Sequence, residues 1–268
     1  MHMPRIILIS HPANEPAYKN AVVGSVAAVL WNKGEHRRKF IKRHGRYLDG
    51  DALKEGDIYF WGEYEPPTIC KIVSTSAPQA IHEYLCPVRN TVVPPKIQNS
   101  DPYVFGEHFK NICCKRGRRK YYPGDVLLFG KIENGDSPKP YMKLDTVMVV
   151  KEEVDVDYQL NMTQYFKASI EPIIKAPKKR DTFYRGKNYA TDNQHFSFVP
   201  CVLDNPHNLQ NVTLPMPVLD LKKLGFDVKK QLRSYGAKDI PFSEDKWNQI
   251  IDAVKGQGWL IGTHVDKI

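Results

Sequence analysis

Residues 55–67 read EGDIYFWGEYEPP, and this pattern is typical of a turn that leads into a strand. A Gly-Asp pair comes first, a β-branched and aromatic run follows, and two prolines close the segment. Gly and Asp favour tight turns, and proline does not continue a central strand. Residues 68–74, TICKIVS, alternate between apolar and polar side chains, so we expect them to form the antiparallel partner.

A similar pattern begins at residue 123, where the chain reads PGDVLLFGKI over residues 123–132. The segment MKLDTVMVVKE, at 142–152, follows it as a second partner strand. We expect GDIYFWG and GDVLLFG to be strands of the same sheet, each entered through a tight turn at its Gly-Asp. Two copies of so common a turn signal also arise by chance, and the residues between them do not match. An internal duplication is therefore the weaker explanation.

The remaining elements predict an α+β fold. Strands are expected at RIILI (5–9), within HFSFVPC (195–201) and at WLIGTHV (259–265), and helices at 77–85, 226–235 and 244–255. Ser243 is a suitable N-cap for the last helix. We predict a mixed, mostly antiparallel, barrel-like sheet with peripheral helices and a helical C-terminal region. Residues 1–155 would form a β-rich part and 156–268 a mixed α/β part packed against it, unless the two are one continuous domain.

Positive charge is concentrated in three short segments. We call them basic segment one (31–47), basic segment two (110–120) and basic segment three (175–187). Together they hold 19 of the 39 Lys and Arg residues and only two acids, Glu35 and Asp181. The rest of the chain carries more acids than bases. Charge concentrated in this way, beside aromatic residues, favours a surface that binds a polyanion.

Nucleic acid is the polyanion that these segments fit best, since Arg and Lys pair with phosphates and nearby aromatic rings stack on bases. Phe40 and Tyr47 are candidates for stacking. Alternatively, segment one is a solvated amphipathic helix and segment two an exposed loop that keeps the protein soluble. The predicted phosphate contacts are Arg37, Arg38, Lys42, Arg43, Arg118, Arg119, Lys179 and Arg180.

The first predicted strand also carries a dense set of aromatic residues. Tyr59 and Trp61 fall on one face of that strand, and Ile58 and Phe60 on the other. One face belongs to the core. The other lines a pocket for a flat ligand such as a base, with Arg185 as a further pocket residue, or is buried as well.

The two Gly-Asp segments resemble the strand pairs of PUA-like β-barrel proteins, the group that includes the ASCH and EVE domains. The matching residues are GDIYFWG and GDVLLFG, within 55–73 and 123–152. The resemblance implies a small barrel that binds RNA, DNA or a modified base or nucleotide in an aromatic pocket beside a basic groove. The segments HRRKFI, WGEYEPP and YRG…FSFVPC also resemble a poorly characterised bacterial family, which implies no activity.

An enzyme acting on nucleic acid or a nucleotide, such as a nuclease or a transferase, is the second hypothesis. Its candidate catalytic residues are Glu63, Arg185 and His195. Tyr184-Arg185-Gly186, with Ser197 downstream, resembles the opening motif of some ADP-ribosyltransferases, but those also need a late catalytic Glu on a strand. The last Glu of this chain, Glu244, falls at a helix start. A third hypothesis is a basic interaction protein whose partner is an acidic protein.

Composition sets limits on the other classes. No apolar run approaches the ~20 residues that span a membrane, and Ile6–Ile9 is too short for a signal peptide, so we expect a cytoplasmic protein without membrane contact. Five cysteines, including the vicinal pair at 113–114, lack metal-ligand spacing and disulfide parity. We therefore expect no metal, no disulfide and no cofactor.

Overall fold

The structure of the chain is a computed structural model, and it describes residues 2–10, 29–30, 37–64, 68–70, 91–92, 103–104, 108–110, 120–133, 140–154, 183–203, 216–227 and 237–265. Most of these residues lie in strands. The elements in these ranges are β1 (Arg5–Ser10), β2 (Val29–Leu30), β3 (Arg37–Asp49), β4 (Ala52–Tyr64), β5 (Thr68–Cys70), β6 (Thr91–Val92), β7 (Tyr103–Val104), β8 (His108–Lys110), β9 (Val126–Glu133), β10 (Tyr141–Val154), β11 (Phe183–Gly186), β12 (Val199–Val202), β13 (Val218–Asp220), β14 (Ala237–Pro241), α1 (Glu244–Lys255) and β15 (Leu260–Val265). The described part of the chain is α+β and mostly sheet.

The strands form three sheets. An eight-stranded sheet has the order β14-β1-β9-β10-β11-β8-β7, with β13 pairing with β10 outside that path. Strands β12, β15, β3 and β4 close into a small barrel, and β2, β5 and β6 form a separate three-stranded sheet. Strands from before and after residue 155 pair with each other in both the large sheet and the barrel.

The centre of the large sheet is buried on both faces. Along β1, Ile6 and Leu8 belong to one hydrophobic cluster and Ile7 and Ile9 to another. Successive side chains of a strand point to opposite faces, so the continuous apolar run of β1 supplies both clusters. Such runs are typical of strands covered on both sides, and the strand predicted at 5–9 is confirmed.

A β-bulge in β10 changes which residues face the larger cluster. Met142 and Leu144 belong to that cluster before the bulge, and Val147 and Val149 after it. The register with β9 shifts between Leu144 and Thr146, which makes Asp145 the extra residue. The bulge therefore keeps the apolar residues of both halves of the strand on one face.

The closed barrel has a small core of its own. This core contains Tyr47, Ile58, Phe60, Val199 and Cys201. The opposite faces of the same strands supply other residues to the larger cluster, where they pack with the large sheet and α1. Because the barrel and the large sheet share this cluster, they are held together by apolar burial.

Helix α1 begins and ends where the sequence predicts. The Ser243 side chain accepts a hydrogen bond from the backbone N–H of Lys246, as an N-cap does, and Trp247, Ile250 and Val254 are buried. In the described part of the chain, no helix is long and apolar enough to cross a membrane. Of the helix predicted at 226–235, only 226 and 227 are described, and neither is helical. The helix predicted at 77–85 lies outside the described residues.

Two predictions about the Gly-Asp segments are wrong. Strand β4 belongs to the barrel and β9 to the large sheet, so GDIYFWG and GDVLLFG do not share a sheet. The turn before β9 forms as expected, at Gly124 with a φ of 88°. By contrast, Gly56 and Asp57 lie within β4, because the hairpin from β3 turns earlier, at Gly50 with a φ of 63°.

The predicted partner of GDIYFWG is wrong as well. Strand β4 pairs with β3 along its whole length and with β12 near its middle. The TICKIVS segment contributes β5, which pairs with β2 and β6 instead. The two-residue loop of the β3–β4 hairpin is Gly50-Asp51, a common turn pair, and this local turn places β4 against β3.

Gly130 is required for the close approach of β9 and β10 beside the bulge. A Cβ at this position would overlap the carbonyl oxygen of Lys143 and press on the Met142 side chain. We expect Gly130→Ala to lower the free energy of unfolding by about 1–3 kcal/mol, as overpacking does, in urea titrations followed by circular dichroism. Gly56→Ala is the matched control, since its nearest neighbour would be the Tyr47 ring at 3.9 Å. Equal stability of the two variants would contradict this account.

Candidate nucleic-acid interface

Basic segments two and three meet in the large sheet. Segment two starts at Lys110, the last residue of β8, and segment three includes β11. These two strands are antiparallel neighbours, with Lys110 opposite Phe183 and Phe109 opposite Tyr184. Two segments that lie 55 residues or more apart in sequence are thus joined by strand pairing.

The other end of segment two returns to the same strand. The backbone N–H of Tyr121 donates a hydrogen bond to the Tyr184 hydroxyl at 3.2 Å, and the two rings lie 5.1 Å apart. Both side chains are buried, and burial raises the pKa of Tyr184. The hydroxyl is therefore neutral at pH 7. Lys110, at one end of segment two, and Tyr121, directly after its other end, therefore both contact β11 of segment three.

Basic segment one lies in a different sheet. Its residues Arg37, Arg38, Lys42 and Arg43 are part of β3, in the barrel. The segment is an extended strand there and not the amphipathic helix of the alternative. Over residues 37–43 a strand advances about 20 Å. Four other predicted contacts lie outside the described residues: Arg118, Arg119, Lys179 and Arg180.

Arg185 is tied to a carboxylate on the neighbouring strand. Its Nη1 lies 3.0 Å from Glu152 Oε1, and the two residues are directly opposite each other in the β10–β11 pair. The Nε of Arg185 is buried and has no hydrogen-bond partner among the described residues. Asp192, on the segment after β11, accepts a hydrogen bond from Lys187 at 2.6 Å. The guanidinium of Arg185 is thus paired with a carboxylate of the protein itself, Glu152, and this ion pair gives Arg185 a structural role.

A buried carboxylate, which the sequence indicated only as a turn residue, fixes the end of segment two. Asp125 is fully buried and accepts from the Arg5 guanidinium at 2.6 Å and from His2 Nε2 at 3.0 Å. It also accepts from the backbone N–H groups of Arg5 and Tyr122, both at 3.0 Å. Arg5 in turn donates to the Lys120 carbonyl and to Asp239.

The charge on Asp125 is stabilised by these donors. Burial alone would raise the pKa of the carboxyl, but the hydrogen bonds from Arg5 and His2 outweigh it and hold the pKa below its ordinary value. Asp125 is thus ionised near neutral pH. It links β1 to the start of β9 and to the last residues of segment two.

The expected aromatic pocket on β4 is closed. Tyr59 and Trp61 are 6% and 1% exposed and belong to the large cluster, and Ile58 and Phe60 are buried on the opposite face. Both faces of the strand are core, which is the alternative to a pocket. Tyr47, a candidate for stacking, is also buried in the barrel.

The three candidate catalytic residues have separate surroundings. His195 Nε2 lies 2.9 Å from Glu244 Oε2 at the start of α1, and the ring packs edge-on against Phe242. Arg185 pairs with Glu152 on β10, as described above. The backbone of Glu63 is opposite Arg38 in the barrel hairpin. The contacts described for His195 and Arg185 do not join them into one site.

Two further polar groups in the core have local roles. The Ser197 hydroxyl accepts a hydrogen bond from the backbone N–H of Val149 at 3.1 Å, so it satisfies a buried donor of β10. Asp145 is 7% exposed and is the bulged residue of β10. Among the described residues, no group of three or more His, Cys, Asp or Glu is arranged to hold a metal ion.

Comparison of the chain with protein-family models, with curated proteins and with solved structures gives no match.

Proposed function

We propose that this protein binds nucleic acid in the cytoplasm, with basic segments two and three as the main contact surface. The observation that carries the proposal is the pairing of β8 with β11, which joins these two segments. They contain 12 Lys and Arg residues and one acid, Asp181. Segment two contains no acid at all, so its cations have no carboxylate within the segment.

The described ion pairs separate the cations that pair with carboxylates of the protein from those proposed to contact phosphates. Arg5, Arg185 and Lys187 are each paired with a carboxylate of the protein, as are Lys131 and Lys143 with Glu133. These cations contribute to the fold. The proposal therefore assigns the phosphate contacts to the inner residues of the basic segments, above all Arg118, Arg119, Lys179 and Arg180, and to β3 of segment one.

Recognition of a modified base is not part of this proposal. It depended on an aromatic pocket at Tyr59 and Trp61, and both side chains are buried. An acidic protein partner would contact the same cations. The regularly spaced phosphates of nucleic acid would make the binding constant fall more steeply with salt concentration.

Reversing charge in segment two tests the proposal directly. We expect Arg118→Glu/Arg119→Glu to weaken binding of a fluorescent 20-mer at least tenfold and to reduce the slope of log Kd against log salt by about 2, since two phosphate contacts are lost. The matched control is Lys222→Glu/Lys223→Glu, which changes net charge equally at two exposed residues of the turn after β13. If both double variants weaken binding to the same extent, only the net charge matters and the assigned surface is wrong.

A further inference from the structure

Two adjacent tyrosines at the end of segment two have opposite environments. Tyr121 is 2% exposed and packs on Tyr184, whereas Tyr122 is 41% exposed. Tyr122 is one of few large apolar side chains that the described surface exposes, and it lies two residues after Lys120, which is also exposed. An exposed aromatic ring thus lies two residues after the end of the basic segment.

The position of Tyr122 is determined by the Asp125 network. Its backbone N–H donates to Asp125 Oδ2 at 3.0 Å. The His2 ring lies 4.2 Å from the Tyr122 ring at an angle of 33°, and the Arg5 guanidinium carbon is 5.8 Å from the ring centre. Because Asp125 also holds His2 and Arg5, the Tyr122 ring is supported by an imidazole ring and a guanidinium that are themselves anchored.

We propose that Tyr122 is a stacking platform for an unpaired base, and that the ligand is single-stranded nucleic acid whose backbone lies beside Lys120. This inference rests on the proposed function and specifies its ligand. Proteins that bind single strands combine a basic path for the backbone with aromatic rings on which bases stack. Here the exposed ring lies two residues after Lys120, the exposed last residue of basic segment two. A base inside a duplex does not offer its face to such a ring.

Fluorescence anisotropy with a 12-mer of deoxythymidine and with a duplex of equal length tests this. Tyr122→Ala should weaken binding of the single strand by about 5- to 150-fold, the range for loss of one stacked base, while Tyr122→Phe retains affinity to within about twofold. Binding of the duplex should be the same for all three proteins. Leu53→Ala, which removes an exposed apolar side chain from the barrel hairpin, is the matched control and should have no effect.

The outcomes separate this inference from the proposed function. If no oligonucleotide binds to the unmodified protein at low salt, the proposed function fails. If oligonucleotides bind but Tyr122→Ala leaves the affinity for the single strand unchanged, only the stacking role is wrong.

Thermal melts of each variant check that folding is intact. Ultraviolet cross-linking to the 12-mer, followed by mass spectrometry, should identify Tyr122 or His2 as the modified residue, and cross-links confined to other peptides would overturn the proposal.

Discussion

Asp125→Asn is expected to destabilise the protein by about 3 kcal/mol at pH 7, the lower end of the cost of removing one partner from a buried ion pair. The substitution leaves the shape of the side chain almost unchanged but removes its charge and one of its acceptors. Arg5, with a side chain 24% exposed, then loses its partner at 2.6 Å and recovers only part of its hydration. Urea unfolding followed by circular dichroism measures the difference.

Asp49→Asn is the control for this experiment. Asp49 pairs with Lys54 at 2.5 Å, but both side chains are about half exposed. Solvent screens such a pair, so its loss should leave the unfolding midpoint unchanged within error. Equal destabilisation by the two substitutions would show that the burial of Asp125 has no special role.

The effect of Asp125 should depend on pH in one direction. The pKa of its carboxyl is lowered in the folded state, so its contribution is complete above the ordinary carboxyl pKa of about 4 and is lost as pH falls through the lower folded value. The stability difference between the unmodified protein and Asp125→Asn should therefore decrease as pH falls below about 4. A difference that grows below about pH 4 would contradict the assigned ion pair.

The sequence predicted best those elements whose signals are local. The apolar run at Ile6–Ile9 marks β1, the Pro123-Gly124 turn marks the start of β9, and Ser243 marks the start of α1. The order of these signals along the chain did not show which strands pair to form the barrel. Its strand β3 is rich in Arg and Lys and has no clean alternation, so its pairing with β4 depends on the Gly50-Asp51 turn and on contacts distant in sequence. The barrel closes through β12 and β15, which follow more than 130 residues later.

The candidate site shows the same contrast between local signals and contacts distant in sequence. The three basic segments were evident from composition, because clustering of charge requires no knowledge of the fold. Their arrangement was not, because the pairing of Lys110 with Phe183 is a long-range contact between short strands. The role of Asp125 was missed for the same reason. Its partners Arg5 and His2 are 120 and 123 residues away, and within its own segment it has only the signature of a turn.

The second large effect concerns salt. Each phosphate neutralised by Lys or Arg releases counterions, so log K falls by about 0.7–0.9 per contact for each tenfold rise in salt concentration. If segments two and three together contact six or more phosphates, affinity for a 20-mer should fall roughly 10³-fold between about 50 and 200 mM salt. The 12 Lys and Arg residues of these segments are enough for that number of contacts even with Arg185 and Lys187 paired within the protein.

The central claim, that segments two and three are a nucleic-acid surface, is tested most directly by one titration series. Dissociation constants for a fluorescent 20-mer are measured by anisotropy at increasing potassium chloride concentration, between about 50 and 200 mM, where counterion release changes affinity most clearly. The account predicts a straight line of log Kd against log salt with a slope of about 4 or more. No binding at the lowest salt, or binding with a flat response to salt, would contradict it.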